Sequence, residues 1–157
     1  MKKSLKTGFV FGLTSGIITT LGLMAGLAEG THSKLAVLGG VLTIAVADAL
    51  SDAAGMHVSE ESRNKNQREV WEATLSTFAS KLVFASTFAV PVILLDLDSA
   101  LVVSVAWGLL LITVFNYYFA KQQKQDPVKV VGEHAAIALL VVVVAHFVGD
   151  LIAQYFG

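Results

Sequence analysis

Five long apolar stretches, separated by short polar connections, dominate the pattern of the chain. An α-helix needs about 20 mostly apolar residues to cross a bilayer, and each stretch is long enough. The stretches lie near residues 7–29, 35–58, 73–95, 99–119 and 130–154. None of the connections is long enough to form a soluble domain. The pattern therefore predicts an all-α polytopic membrane protein, in which residues 1–157 form a single five-helix transmembrane domain.

The positions of lysine and arginine predict how these helices are oriented. Cytoplasmic connections of membrane proteins are enriched in basic residues. Nine of the 11 basic residues fall on alternate connections: Lys2, Lys3, Lys6, Arg63, Lys65, Arg68, Lys121, Lys124 and Lys129. We therefore expect the N-terminus in the cytoplasm and the C-terminus outside. Lys81 is the only basic residue inside a predicted span.

The composition agrees with a membrane location and excludes several functions. Hydrophobic residues make up 55 % of the chain, charged residues 15 %, and the mean hydropathy is +0.70. Soluble domains carry about 25 % charged residues. The absence of cysteine excludes disulfides and thiolate chemistry, and the net charge of -1 provides no basic surface for nucleic acid. No phosphate loop, GxSxG or HExxH motif occurs, so we expect no enzyme activity.

Two acids and a methionine interrupt the second apolar stretch, in the segment ADALSDAAGMH. Asp48, Asp52 and Met56 are spaced four residues apart and lie above one another on one helix face. Counted at about 1.5 Å per residue from the predicted cytoplasmic ends, Asp48, Asp52, Ser15 and Lys81 all lie ~9–15 Å deep. A charge inside a span costs about 2.5–3.5 kcal/mol and marks a partner or an ion path. We therefore expect these groups to share one polar site.

This polar site has two interpretations. In the first, Asp48 and Asp52 supply hard oxygen ligands, Ser15 a neutral oxygen and Met56 a soft sulfur, a set that suits Fe(II) better than Mg²⁺ or Ca²⁺. In the second, Lys81 neutralises one acid and the pair only holds the second and third spans together. We favour the first, because intramembrane ionisable residues are functional by default. A fixed cation beside a divalent site weakens binding by repulsion, unless Lys81 leaves or deprotonates when the metal enters. This competition would couple cation entry to proton release.

Three further polar residues are weaker candidates. His57 ends the second span, where a solvated interface residue is the more common interpretation and a metal gate or proton sensor is the alternative. His146 and Asp150 are four residues apart in the last span. We expect them to form a hydrogen-bonded pair at the outer interface, with an exit-side proton relay as the alternative.

Four segments resemble motifs of the vacuolar iron transporter family and occur in that family's order. The segment FVFGLTSGIITTLGLMAG, residues 9–26, is similar to the family's first span, and ADALSDAAGMHVS resembles its second. ASKLVFASTFAVP, residues 79–91, is similar to the third span, and AHFVGDLI near the end resembles the closing segment. Only the fourth span is outside the resemblance.

The resemblance implies a homodimer of five-helix protomers in a lipid bilayer. Such a dimer exchanges Fe²⁺, and sometimes Mn²⁺, for protons and moves the metal out of the cytosol, with no tightly bound cofactor. Many members carry a glutamate-rich metal-binding domain between spans two and three, where this chain has only SEESRNKNQREVWEA. We expect the acids of this segment to be the solvated start of a helix. They are Glu60, Glu61, Glu69 and Glu72.

The chain departs from the family pattern at four intramembrane positions. Ser15 stands where the family has Asp, Asp52 where it has Met, Met56 where it has Glu, and Lys81 where it has a small residue. The resemblance predicts a proton-coupled exporter of divalent metal, and we expect it in a prokaryotic cell membrane. The departures leave two alternatives: a transport-inactive scaffold or regulator with the same fold, and a proton-coupled transporter of another cation.

We predict a parallel homodimer with the first spans near its axis. A chain without an internal repeat has no pseudo-symmetric partner of its own, whereas a two-fold dimer can form a path between like surfaces. The pairs Gly12–Gly16 and Gly22–Gly26 allow close helix packing, either across the dimer or within the bundle. Cysteines introduced at Gly12 or Gly22 should then crosslink dimers in native membranes, and a fully active, monodisperse monomer would refute the dimer.

Overall fold

The computed structural model describes residues 2–63 and 66–157, which form six helices in sequence. Lys65, one of the basic residues used to predict the orientation, lies outside the described residues. The third and fourth helices together make one span, Gln67–Leu94, so five helical segments are long and apolar enough to cross a membrane. The all-α fold with five candidate spans is thereby confirmed. The helices are α1 (Lys3–Thr31), α2 (Lys34–Arg63), α3 (Gln67–Thr87), α4 (Ala89–Leu94), α5 (Leu97–Gln122) and α6 (Pro127–Phe156).

Local sequence signals explain where several of these helices begin and end. Asp96 and Asp126 cap α5 and α6 by accepting hydrogen bonds from the backbone N–H groups of Ser99 and Val128. The bond from Ser99 stabilises the charged form of Asp96 and lowers the pKa of this carboxyl. The break between α3 and α4 lies one turn before Pro91, whose ring removes a backbone donor and clashes with the preceding turn. His32 ends α1 in a left-handed conformation, with φ of 48°.

The helix α1 is central and packs against α2, α3, α5 and α6. Its glycines let the neighbouring backbones approach closely. A Cβ on Gly12 would collide with the Thr77 carbonyl oxygen and the Ser80 hydroxyl of α3, and one on Gly22 would lie 2.6 Å from Val141 Cγ1 of α6. Of the two interpretations of these glycines, the structure favours close packing within the bundle, because Gly12 and Gly22 both face neighbours of the same protomer. The homodimer itself stays a prediction.

The polar start of α3 is also attached to α1. Glu72 accepts hydrogen bonds from Lys2 Nζ at 2.6 Å, from Ser4 Oγ at 2.7 Å and from Arg68 Nε at 3.2 Å. Its side chain is only 17 % exposed. The expectation of a solvated acid is wrong for Glu72, which joins the beginnings of two parallel helices.

A groove runs along the first half of α1. The helix α6 contacts the second half of α1 through Val141, Ala145 and Gly149, and the groove opens between the beginning of α6, the end of α5 and the first half of α1. Its volume is about 700 Å³. We call it the α1 groove; its lining residues are Lys3, Lys6, Thr7, Val10, Phe11, Thr14, Ser15, Ile18, Thr19, Gln123 and His134.

The close approach of α1 and α3 predicts opposite effects for two glycine substitutions. Alanine normally stabilises a helix interior by up to about 1 kcal/mol relative to glycine. Gly39, on α2, has no atom within 4 Å of a built Cβ, so Gly39→Ala should leave the melting temperature unchanged or raise it. Gly12→Ala should lower the free energy of unfolding by about 1–3 kcal/mol through overpacking against α3. Thermal melting of both variants in detergent measures the difference, and equal melting temperatures would contradict the packing described for α1.

Candidate cation site

The ammonium group of Lys81 lies inside the helix bundle, with the residue only 1 % exposed. A lysine at such a position requires acidic partners, because a buried unpaired charge is strongly destabilising. Gly16 on α1 makes room for its aliphatic stem: a Cβ there would lie 3.1 Å from Lys81 Cγ and 3.3 Å from the Lys81 carbonyl oxygen. The lysine therefore extends from α3 past the backbone of α1 toward α2.

Both acids of α2 meet this ammonium group. Lys81 Nζ lies 2.5 Å from Asp48 Oδ2 and donates a hydrogen bond to Asp52 Oδ2. It also donates to Ser15 Oγ at 3.0 Å, and Ser15 Oγ donates in turn to Asp52 Oδ2 at 2.6 Å. The contact with Asp48 is an ion pair without a hydrogen bond. Two helices, α1 and α2, thus contribute one hydroxyl and two carboxylates to a cation on a third helix, α3.

The acids are less buried than the lysine. The side chains of Asp48 and Asp52 are 27 % and 21 % exposed, whereas the Lys81 side chain is 1 % exposed. Two carboxylates and one ammonium leave a net charge of -1, so the cluster still attracts a cation from the accessible side. Chemically, the arrangement is an oxygen-rich site that holds one tethered positive charge.

The remaining predicted ligand, Met56, lies one turn beyond Asp52 on α2 and is 9 % exposed. Thr14, a further hydroxyl beside Ser15, has a buried Oγ1 without a hydrogen-bond partner. Within residues 2–63 and 66–157, no three His, Asp or Glu side chains come together as a metal-binding group. The carboxylates therefore have to be supplemented by hydroxyl or thioether ligands if the cluster is to bind a metal.

His57 is attached to α3 and is not the solvated interface residue that the sequence suggested. Its Nδ1 lies 3.1 Å from Thr74 Oγ1, and its ring packs on Trp71 with centroids 4.7 Å apart. Thr74 already donates its hydroxyl hydrogen to the Val70 carbonyl oxygen, so His57 Nδ1 is the donor in this pair. The contacts give His57 a structural role between α2 and α3.

His146 and Asp150 do not pair with each other, which corrects the predicted hydrogen bond in the last span. His146 Nδ1 lies 3.3 Å from Glu29 Oε2 at the end of α1, and Asp150 accepts a hydrogen bond from Gln154 Nε2 at 2.9 Å. The spacing of four residues was a correct guide to a shared helix face. It could not identify Glu29, which lies on a different helix and near the same end of the bundle.

Comparisons with known proteins find a similarity over the first part of the chain. The sequence model of the VIT family matches residues 7–70, which include Ser15, both acids and Met56 but not Lys81. No curated protein and no solved structure matches the chain. The five candidate spans are those of an integral membrane protein, and residues 7–70 are similar to the VIT family. The resemblance to the vacuolar iron transporter family is confirmed over residues 7–70.

Removal of Lys81 should expose the repulsion between the two acids. We expect Lys81→Ala to lower the metal-free free energy of unfolding by up to about 3–5 kcal/mol, because it leaves partly buried carboxylates without their cation. Added Fe(II) or Mn(II) should stabilise this variant more than the native protein, since a metal can replace the lost charge. Lys121→Ala, which removes an exposed lysine, is the control and should melt like the native protein. The same loss of stability without rescue by added metal would indicate a purely structural pair.

Proposed function

We propose that this chain transports divalent metal cations, Fe²⁺ and/or Mn²⁺, and exports them from the cytosol in exchange for protons. The observation that carries the proposal is the convergence of Asp48, Asp52 and Ser15 on a cation inside the bundle, the Lys81 ammonium group. A transporter has to hold a cation within the membrane without holding it permanently, and acids inside a span are the usual means. The family match over residues 7–70 supports a metal as the cation.

The ligand chemistry favours a late divalent metal over Mg²⁺ or Ca²⁺. Asp48 and Asp52 contribute charged oxygens, Ser15 contributes a neutral oxygen, and Met56 is the soft ligand within one turn of Asp52. A metal at the acids has to displace the Lys81 ammonium, because like charges at one site repel. Loss of a proton as the metal enters keeps the charge of the site nearly balanced, and this exchange is the proposed basis of antiport. The proposed assembly is a homodimer.

One observation favours a second candidate, a transport-inactive scaffold with the same fold. Lys81 contacts both acids at once, so the cluster is satisfied without any metal. The cluster also fits a third candidate, a proton-coupled transporter of another cation. Its two carboxylates and the Lys81 ammonium group together carry a net charge of -1, which one monovalent cation would neutralise.

Uptake by proteoliposomes separates the three functions. We expect accumulation of Fe(II) or Mn(II) that a pH gradient accelerates, with Co(II) and Zn(II) as comparison metals, and no metal uptake would support the scaffold or the other cation.

Asp52 provides the sharpest test of the site, because it contacts both Lys81 and Ser15. We expect Asp52→Asn to abolish metal transport, while Asp48 continues to pair with Lys81 and the purified protein keeps its native elution volume. Asp150→Asn is the matched control, since Asp150 bonds only Gln154 within α6 in the described part of the chain and should leave the rate unchanged. Native-rate uptake by the Asp52→Asn variant would show that the metal site is elsewhere.

A further inference from the structure

The α1 groove has a positively charged mouth. Lys3 and Lys6 lie at the end of the groove nearest the N-terminus. Neither lysine has a carboxylate partner within residues 2–63 and 66–157. Lys6 is held in place by a hydrogen bond from its Nζ to Gln122 Oε1 at 3.0 Å and by the Phe119 ring, whose centroid is 5.3 Å away. A fixed ammonium group without an acid is a ready partner for an anion.

The walls behind this mouth are apolar. Val10, Phe11 and Ile18 line the groove along α1. Thr7 and Thr19 also line it, but their hydroxyls donate to the carbonyl oxygens one turn earlier, at 3.1 and 2.9 Å. Side chains that satisfy their own hydroxyls in this way present their methyl groups to a ligand. The groove is therefore charged at one end and mainly apolar along α1, with Thr14, Ser15 and His134 among its polar lining residues.

The dimensions of the groove fit one leaflet of a bilayer. From Lys6 to Ser15 the helix rises ~14 Å at about 1.5 Å per residue. One leaflet of the hydrocarbon core is about 15 Å thick, half of the usual ~30 Å. An amphiphile with its headgroup at Lys3 and Lys6 can thus lay an acyl chain along Val10 and Phe11 to the level of Ser15.

The charge of the mouth also opposes its use as a metal entrance. Two unpaired ammonium groups repel a divalent cation and attract a phosphate, and neither effect needs a change in the structure. We propose that the α1 groove binds an anionic phospholipid, with the phosphate at Lys3 and Lys6 and an acyl chain on the apolar wall. This inference is independent of the proposed metal transport, because it rests on the groove and not on the acids of α2.

Binding of defined lipids to the purified full-length chain tests the proposal. In detergent, dioleoylphosphatidylglycerol should raise the melting temperature and appear as a bound adduct in native mass spectrometry. Dioleoylphosphatidylcholine has the same chains without the net charge and should do neither at the same concentration. Glycerol 3-phosphate, which supplies an anionic headgroup without chains, should also have no effect.

Charge-matched variants locate the site. The double variant Lys3→Gln, Lys6→Gln should weaken phosphatidylglycerol binding about five-fold for each lysine removed. The double variant Lys121→Gln, Lys129→Gln loses the same charge outside the groove lining and should keep at least half of the native affinity. Val10→Trp fills the apolar wall without changing charge and should also reduce binding. The lipid-free melting temperature of each variant reports whether that variant folds. If Val10→Trp does not fold, the smaller substitution Val10→Phe replaces it in the binding test.

Four outcomes would overturn the proposal. Equal binding of both phospholipids would show that the headgroup charge is not recognised, and equal stabilisation by glycerol 3-phosphate would make the mouth a simple anion site. An equal loss in the two double-lysine variants would reflect general surface charge. The fourth outcome uses a cysteine in place of Phe11, an exposed residue of the groove. If this cysteine crosslinks two protomers and the crosslinked dimer no longer binds the lipid, a second copy of the chain covers the groove.

Discussion

The packing of the first three helices depends on the buried ammonium group of Lys81. A positive charge that is 1 % exposed inside an apolar bundle has to be compensated by nearby acids and hydrogen-bond acceptors. Asp48 and Asp52 of α2 and Ser15 of α1 provide them, so a single side chain of α3 determines which residues of the other two helices lie at its level. A shift of α2 by one residue would turn both acids away from the lysine. The cluster thus specifies the register of the three helices as well as a possible binding chemistry.

Lys81 can reach the acids of α2 only because α1 has small residues on the side that faces α3. Gly12 and Gly16 bring the backbones of α1 and α3 together, and Gly16 leaves the space that the Lys81 stem occupies. The same helix uses Gly22 and Gly26 against α6 about two to three turns beyond the cluster. The close packing of α1 is therefore a requirement of the polar site, and it explains why the central helix of an apolar bundle has glycines where larger side chains would bury more surface.

Charges of opposite sign are separated along α1. Lys3 and Lys6, which have no acidic partner in the described part of the chain, lie where the α1 groove begins, near the N-terminus. The acids of α2 lie farther along the bundle and contact Lys81. A metal cation and an anionic lipid would therefore favour different parts of the same region. Ser15 is the point where the two parts meet, since it lines the groove and also bonds Asp52 and Lys81. The groove therefore lies next to the cation site, and Ser15 is the residue that the two have in common.

The sequence alone determined the features that depend on local pattern. Hydropathy predicted the five spans, the four-residue spacing placed Asp48 and Asp52 on one helix face, and the depth of Lys81 indicated that it would meet them. Only the tertiary structure decided which helices face each other. It directed Gly12 and Gly22 to neighbours within the protomer, joined His146 to Glu29 instead of Asp150, and attached Glu72 and His57 to other helices. The physical reason is that periodicity defines the face of a helix, whereas the partner of that face depends on how all the helices pack together.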